Sequence, residues 1–148
     1  MIQLPKDFSE FLKLLNSKQV EYLVIGGWAV GFYGYPRATG DMDIWVSKTE
    51  KNASKIIESL KEFGFDVPNL SPALFTKENQ VTRLGLQPLR IKILTTISGV
   101  SFDECFNNRQ TILMNEVMIN IIGLEDLKKN KSTSKRFKDL DDFEKLSQ

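Results

Sequence analysis

A chain of 148 residues, 41% hydrophobic and 26% charged, has the size of one domain with one real core, so residues 1–148 are expected to form a single domain. Its 20 basic and 19 acidic side chains leave a formal charge of +1, which gives no overall basic surface for nucleic acid and confines any such contact to a local patch. Histidine is absent, which excludes His-based triads, His general bases and His-ligated zinc and leaves carboxylates as metal ligands, with carboxylate, Lys or Tyr for proton transfer.

The first residues, MIQLPKDFSE, have neither the basic n-region nor the apolar h-region of a signal peptide. No apolar run approaches the roughly 18 residues that cross a bilayer, so the expected setting is cytoplasmic with no membrane contact. Asp7 then precedes Phe8, Phe11, Leu12 and Leu15, an amphipathic helical stripe with Glu10 placed as a capping-box partner. Val20 to Ile25 is apolar at nearly every position and reads as a strand interior to a sheet. The pair Gly26-Gly27 breaks that run, and Trp28 to Tyr33 continue as a short helix that Gly34-Tyr35-Pro36 ends. A second strand, Asp43 to Val46, follows. Ser47 with Glu50 predicts a capping box for a helix carrying Ala53, Ile56, Ile57, Leu60 and Phe63, with Gly64 as its C-cap.

Ser71-Pro72 predicts the start of a helical turn through Phe75. Val81 to Leu86 and Leu89 to Leu94 read as a hairpin around Gln87-Pro88, with Arg90, Lys92 and Leu94 on one face. Ser101 and Glu104 predict another capped helix. Cys105, the single cysteine, has no disulfide partner and reads as a buried structural thiol. Thr111 to Met114 and Val117 to Ile122 form a second hairpin turned at Asn115-Glu116, and Leu124 to Asn130 and Phe137 to Leu146 are closing helices around a polar stretch. Hairpins with helices before and after them predict an α/β (α+β) fold: a single mixed sheet flanked by helices and covered mainly on one face.

Chemistry concentrates between Glu21 and Val46, EYLVIGGWAVGFYGYPRATGDMDIWV. Asp41 and Asp43, at i and i+2 of a strand, point to one face about 7 Å apart and suit a shared hard cation. Gly26 and Gly27, between a buried strand and a helix, let backbone N–H groups approach a phosphate. Arg37 and Thr39 are either a solvated loop or phosphate contacts, Arg being suited by its planar fork. The weaker alternative for Asp41 and Asp43 is a strand entry with a turn aspartate. Trp28, Phe32, Tyr33 and Tyr35 read as core and cleft-wall packing in preference to a base-stacking platform. The basic run from Lys128 to Lys138 reads as a solvated face within which Lys131, Arg136 and Lys138 are the functional candidates.

The segments GGWAVGFYGYPRATGDMDIWV, LGLQPLRIKILTTISGVSF and GLEDLKKNKSTSKRFKDLDDFEKL together resemble the nucleotidyltransferases of the DNA polymerase β superfamily. The likeness is to small bacterial stand-alone members near the minimal nucleotidyltransferases and the nucleotidyltransferase toxins of type IV toxin-antitoxin pairs. It implies the polymerase β-like fold and a nucleoside triphosphate facing Gly26 and Gly27. It also implies magnesium on Asp41 and Asp43, and Lys131, Arg136, Lys138, Asp139 and Asp142 beside the same cleft. The implied activity is transfer of a nucleoside monophosphate to a hydroxyl on RNA, protein or a small molecule, with two ions held by three carboxylates. In relatives the segment at Arg90 to Thr95 reads R-I-D-L-L-T, its aspartate being the third ligand, whereas Lys92 stands there in this chain.

An ammonium beside two carboxylates competes with a metal ion, which gives Lys92 three readings. The chain is a degenerate member that binds nucleotide and transfers poorly, or Glu78, Asp103 or Glu104 supplies the third acid, or the lysine was introduced by substitution. Lys92 could also simply tie Asp41 and Asp43 together as a structural ion pair. The alternative to an enzyme is an inert nucleotidyltransferase-like module that serves a partner protein, as in a toxin-antitoxin pair.

Overall fold

The computed structural model describes residues 4–35, 40–65, 68–85, 90–134 and 136–147, with the backbone alone at Phe137 and Lys138. Arg37, Thr39 and the Gln87-Pro88 turn lie outside the described residues.

Helix α1 (Lys6–Ser17) buries Phe8, Phe11, Leu12 and Leu15, the stripe set by helical spacing. Its N-cap is Pro5, without a side-chain cap, so Asp7 sits in the first turn and the expected capping box does not form. Strand β1 (Tyr22–Ile25) is buried at all four positions because it is flanked on both sides. The six-stranded sheet runs β3-β4-β2-β1-β6-β5, where β2 is Asp41–Val46, β3 Val81–Leu84, β4 Arg90–Leu94, β5 Gln110–Met114 and β6 Val117–Ile121. β2 is antiparallel to β1 and parallel to β4, β1 is parallel to β6, and each outer strand closes an antiparallel hairpin. The sheet is therefore mixed, as the alternation of hairpins and helices predicted.

The β5–β6 hairpin turns at Asn115 and Glu116, whose φ angles of 52° and 64° give the two left-handed residues of a tight turn matched to strand twist. Asn115 tolerates this conformation well. Glu116 does so less readily, and its turn is fixed by the strands on either side.

Helices α2 (Gly26–Phe32), α3 (Glu50–Phe63), α4 (Ala73–Thr76), α5 (Phe102–Asn107), α6 (Leu124–Thr133) and α7 (Phe137–Leu146) complete the fold. α3 is capped by Thr49, whose hydroxyl accepts from the Asn52 N–H. Ser47, the expected cap, is instead buried at the end of β2. Gly64 ends α3 with φ +114°, and the Phe65 N–H reaches back to the Leu60 carbonyl, the glycine-dependent stop expected there. For α4 the N-cap is Pro72 rather than Ser71. Ser101 is at the N-cap of α5 without making a side-chain cap bond.

Helices lie on both faces of the sheet, in contrast to the one-sided cover expected. Tyr22 sends its hydroxyl to Asn16 of α1. On the opposite face Trp45 of β2 meets Phe102 of α5 edge-on, ring centres 5.2 Å apart. Trp45, Tyr22, Phe8 and Phe11 are among the largest fully buried side chains, each contributing on the order of 2 kcal/mol of burial free energy. No helix among the described residues is long and apolar enough to cross a membrane.

Candidate functional site

Alternation along β2 buries Met42 and Ile44 on one face and leaves Asp41 and Asp43 half-exposed on the other. The parallel register with β4 sets Arg90 opposite Asp41 and Lys92 opposite Asp43. Each acid therefore has a base beside it. Arg90 grips Asp41 through two hydrogen bonds, Nε to Oδ1 at 3.0 Å and Nη2 to Oδ2 at 3.2 Å, the fork geometry that suits a carboxylate. Lys92 Nζ is 3.9 Å from Asp43 Oδ2, an ion pair without a close hydrogen bond. The ladder continues outward to Arg83, opposite Lys92 on β3.

Burial pushes the Asp43 carboxyl above its ordinary range. Lys92 opposes this, Asp41 adds to it, and Lys131 and Arg136 pull against it, with a net upward shift. Gly26 packs directly on this carboxylate: at φ +67°, a Cβ added there would lie 2.5 Å from Asp43 Oδ2 and 3.1 Å from its Cγ. Both the left-handed backbone and the lack of a side chain are required at this position. Gly27 follows in the first turn of α2, which has seven residues, so the pair offers close backbone approach more than a helix dipole.

A cavity of about 190 Å³ opens beside these groups, lined by Gly26, Asp43, Lys92, Lys131, Arg136 and Asp139 among others. The structure thus gathers five expected site residues, Gly26, Asp43, Lys92, Lys131 and Arg136, with Asp41 two residues from Asp43 on the same face. Among the described residues the charged side chains of the lining are three bases and two acids. Lys138 lies on α7, but its side chain is outside the described ones, as are Arg37 and Thr39.

Lys131 is 5% exposed, and Asp142 is fully buried. Lys131 Nζ lies 2.7 Å from Asp139 Oδ1 and 3.2 Å from Asp142 Oδ2, so one α6 base joins two α7 acids. Asp139 also accepts from the Ser134 hydroxyl at 2.7 Å. Burial would raise the Asp139 carboxyl, but the hydrogen bonds from Lys131 and Ser134 and the charges of Lys131 and Arg136 hold it below its ordinary range. Arg136, 3.9 Å from Asp139, is mostly exposed at the mouth.

None of the suggested third acids is among the described residues that line the cavity beside Asp43. Glu78 pairs with Lys48 at 3.1 Å and lines a separate cavity together with Asp103, and Glu104 is exposed on α5. Among the described residues no group of three or more acids, cysteines or histidines forms a metal site. Arg90 is the site residue that sequence reasoning missed. Its face was legible from strand alternation, but its pairing depends on the β2–β4 register, which joins segments about fifty residues apart.

The aromatics near the glycines pack as expected. Trp28 meets Phe8 edge-on with ring centres 5.8 Å apart, and Tyr33 donates its hydroxyl to the Ile122 carbonyl at 2.7 Å. Cys105 is buried and unbridged. Burial, with Asp126 nearby, pushes its thiol up to about 12, so it is an inert structural cysteine.

A family model described as "Nucleotidyl transferase of unknown function (DUF2204)" matches residues 5–148. No curated protein gives a significant match. Among solved structures, a candidate nucleotidyltransferase from Thermotoga maritima aligns with TM-score 0.57 and 14% identity over 95% of this chain and 86% of that one. An antigenic nucleotidyltransferase-like protein from Paracoccidioides brasiliensis aligns with TM-score 0.57 and 18% identity over 93% and 72%. The lincomycin-bound lincosamide antibiotic adenylyltransferase LnuA aligns with TM-score 0.56 and 13% identity over 98% and 97%. At such identities the likeness is one of fold.

Proposed function

Because the chain belongs to the nucleotidyl transferases of unknown function (DUF2204), we propose that it binds a nucleoside triphosphate beside Asp43 and transfers its nucleotidyl group, slowly, to a hydroxyl acceptor. The observation that carries this reading is the cavity wall, where the mostly exposed Arg136 and the loosely paired Lys92 stand beside Gly26 and Asp43. Such a wall favours a polyanion, and Gly26 allows a phosphate to approach the main chain.

The residues fit one magnesium ion carried on the triphosphate, because this ion needs only one or two protein carboxylates with water and phosphate completing its shell. Asp41 and Asp43 would hold it, both being half-exposed on one strand face. The position of a third acid is taken by Lys92, whose fixed charge stands where a second ion would need a ligand. Bound magnesium would supply charge neutralisation at the phosphates.

The remaining work falls to the chain itself. Arg136 and Lys92 would neutralise phosphate oxygens, and Gly26 and Gly27 would admit them. The acceptor oxygen bonds to the α-phosphorus as the bond to the leaving pyrophosphate breaks, and the hydroxyl proton must depart. That proton would pass to water in the open cavity beside Asp43.

A second reading has its own support in the ion pairs. Both acids are already paired with β4 bases, which suits an inert module that binds nucleotide for a partner protein, as in a toxin-antitoxin pair. Calorimetric titration with ATP tests the shared core of both readings. Magnesium is expected to strengthen binding, and Asp41→Asn/Asp43→Asn to abolish that dependence; unchanged magnesium dependence in the double variant would overturn the site assignment. Transfer of label from ATP then separates enzyme from inert module.

A further inference from the structure

The sheet ends at two strands, and they are unequally protected. β3 holds Arg83 among its four residues and is followed by Gly85. A charge on a short edge strand discourages pairing with another chain. β5 lacks such a guard: Gln110-Thr111-Ile112-Leu113-Met114 contains no charge, no proline and no glycine. Among the described residues it pairs with β6 alone, in an unbroken ladder from Gln110–Ile121 to Met114–Val117.

Asn115 and Glu116 make a two-residue turn, so Met114 and Val117 are a hydrogen-bonded pair. Alternation then directs the main-chain groups of Gln110, Ile112 and Met114 toward β6 and those of Thr111 and Leu113 outward. Ile112 and Met114 pack on the core, whereas Thr111 and Leu113 lie on the opposite face. There Leu113 is 66% exposed, and Met118, directly across the ladder, 48%.

The two ends of this edge carry opposite charges. Arg109 precedes β5, its guanidinium 4.0 Å from the centre of the Phe106 ring and bonded to the Phe106 carbonyl at 2.7 Å. Glu116 follows β5 in the turn, which Asn115 anchors by donating to the Leu4 carbonyl at 3.1 Å. Both charged residues are exposed, and neither forms an ion pair among the described residues.

We infer that β5 is the contact edge of a homodimer, in which two copies pair antiparallel about a two-fold axis at Ile112 and join their sheets. In this register Thr111 of one copy faces Leu113 of the other, and each such pair exchanges both N–H···O=C bonds. All five residues of the strand find a partner. Arg109 is carried to the turn that bears Glu116 of the second copy, and the symmetry repeats this pairing of opposite charges at the far end. A strand about 17 Å long makes a small contact, which suits reversible association in the micromolar range and not an obligate dimer. β1 and β6 separate β5 from the strands that carry Asp43 and Lys92, so the pairing leaves both clefts open and stands apart from the triphosphate reading.

Sedimentation equilibrium of the full chain, over about 1 to 300 µM to span this range, tests the inference. The natural protein is expected to show a monomer–dimer equilibrium. Arg109→Glu and Glu116→Arg should each weaken it by about tenfold, because like charges then meet at both ends. The double variant Arg109→Glu/Glu116→Arg should return it to within about threefold of the natural protein, since opposite charges face each other again. That recovery also separates lost pairing from damaged folding. Leu113→Lys should leave a monomer whose ATP titration is unchanged. A natural protein that stays monomeric throughout, as it would if the edge served only a strand of another protein, would overturn the inference. So would single reversals without effect, or a double variant as weak as the singles.

Discussion

At Gly26 the demands of backbone and chemistry coincide. Its φ of +67° and its contact with Asp43 mean that any side chain adds strain and displaces the carboxylate. Gly26→Ala is expected to cost about 2 kcal/mol in urea unfolding and to weaken ATP binding as well, whereas a purely local strain would leave ATP binding intact. That a glycine pair after a buried strand marks a close approach was legible in the sequence; that the object approached is Asp43 required the β1–β2 pairing of Ile25 with Asp43. Lys92 could be recognised only by resemblance, since a lysine in an alternating strand is unremarkable, and its place opposite Asp43 depends on the register. Arg90 stayed hidden for the same reason.

At the scale of elements, period and punctuation carried most of the information. The α1 stripe, the Gly64 stop and the Asn115-Glu116 turn follow from local rules, and the structure has all three. Caps were less legible, because hydroxyl residues crowd the start of α3 and several satisfy the same spacing. Ser47 was drawn into the sheet end, leaving the role to Thr49. Thr49→Ala is accordingly expected to lower stability by about 1 kcal/mol in urea unfolding, with ATP affinity unchanged; a loss no greater than a few tenths would deny Thr49 the cap. Ser101 is the converse case, a residue at the N-cap position whose hydroxyl does not cap.

Across the whole molecule, α6 and α7 are joined by one buried base between two acids, and this junction forms a wall of the cavity beside Asp43. Removing one member leaves an imbalance of buried charge, so Asp142→Asn is expected to cost about 3 kcal/mol or more. The pH dependence has a definite sign. Asp139 is held below its ordinary range, so the unfolded chain binds more protons there, and its stabilisation is present above the unfolded value and lost as pH falls through the folded one. Asp43 is raised and acts oppositely, its contribution being present at low pH and lost as pH rises through the folded value. Asp139→Asn should therefore reduce the stability difference between pH 7 and about pH 3, measured by urea unfolding; an unchanged difference would remove Asp139 from this role.

Lys92 lies across from Asp43 on β4, so in the one-ion reading proposed above its ammonium takes the place that a ligand to a second ion would need. The stoichiometry of manganese, a paramagnetic substitute for magnesium, bound with a non-hydrolysable ATP analogue tests this most directly. Electron paramagnetic resonance is expected to count one ion per chain in the natural protein and two in Lys92→Asp. Two ions in the natural protein, or one in both, would contradict the account.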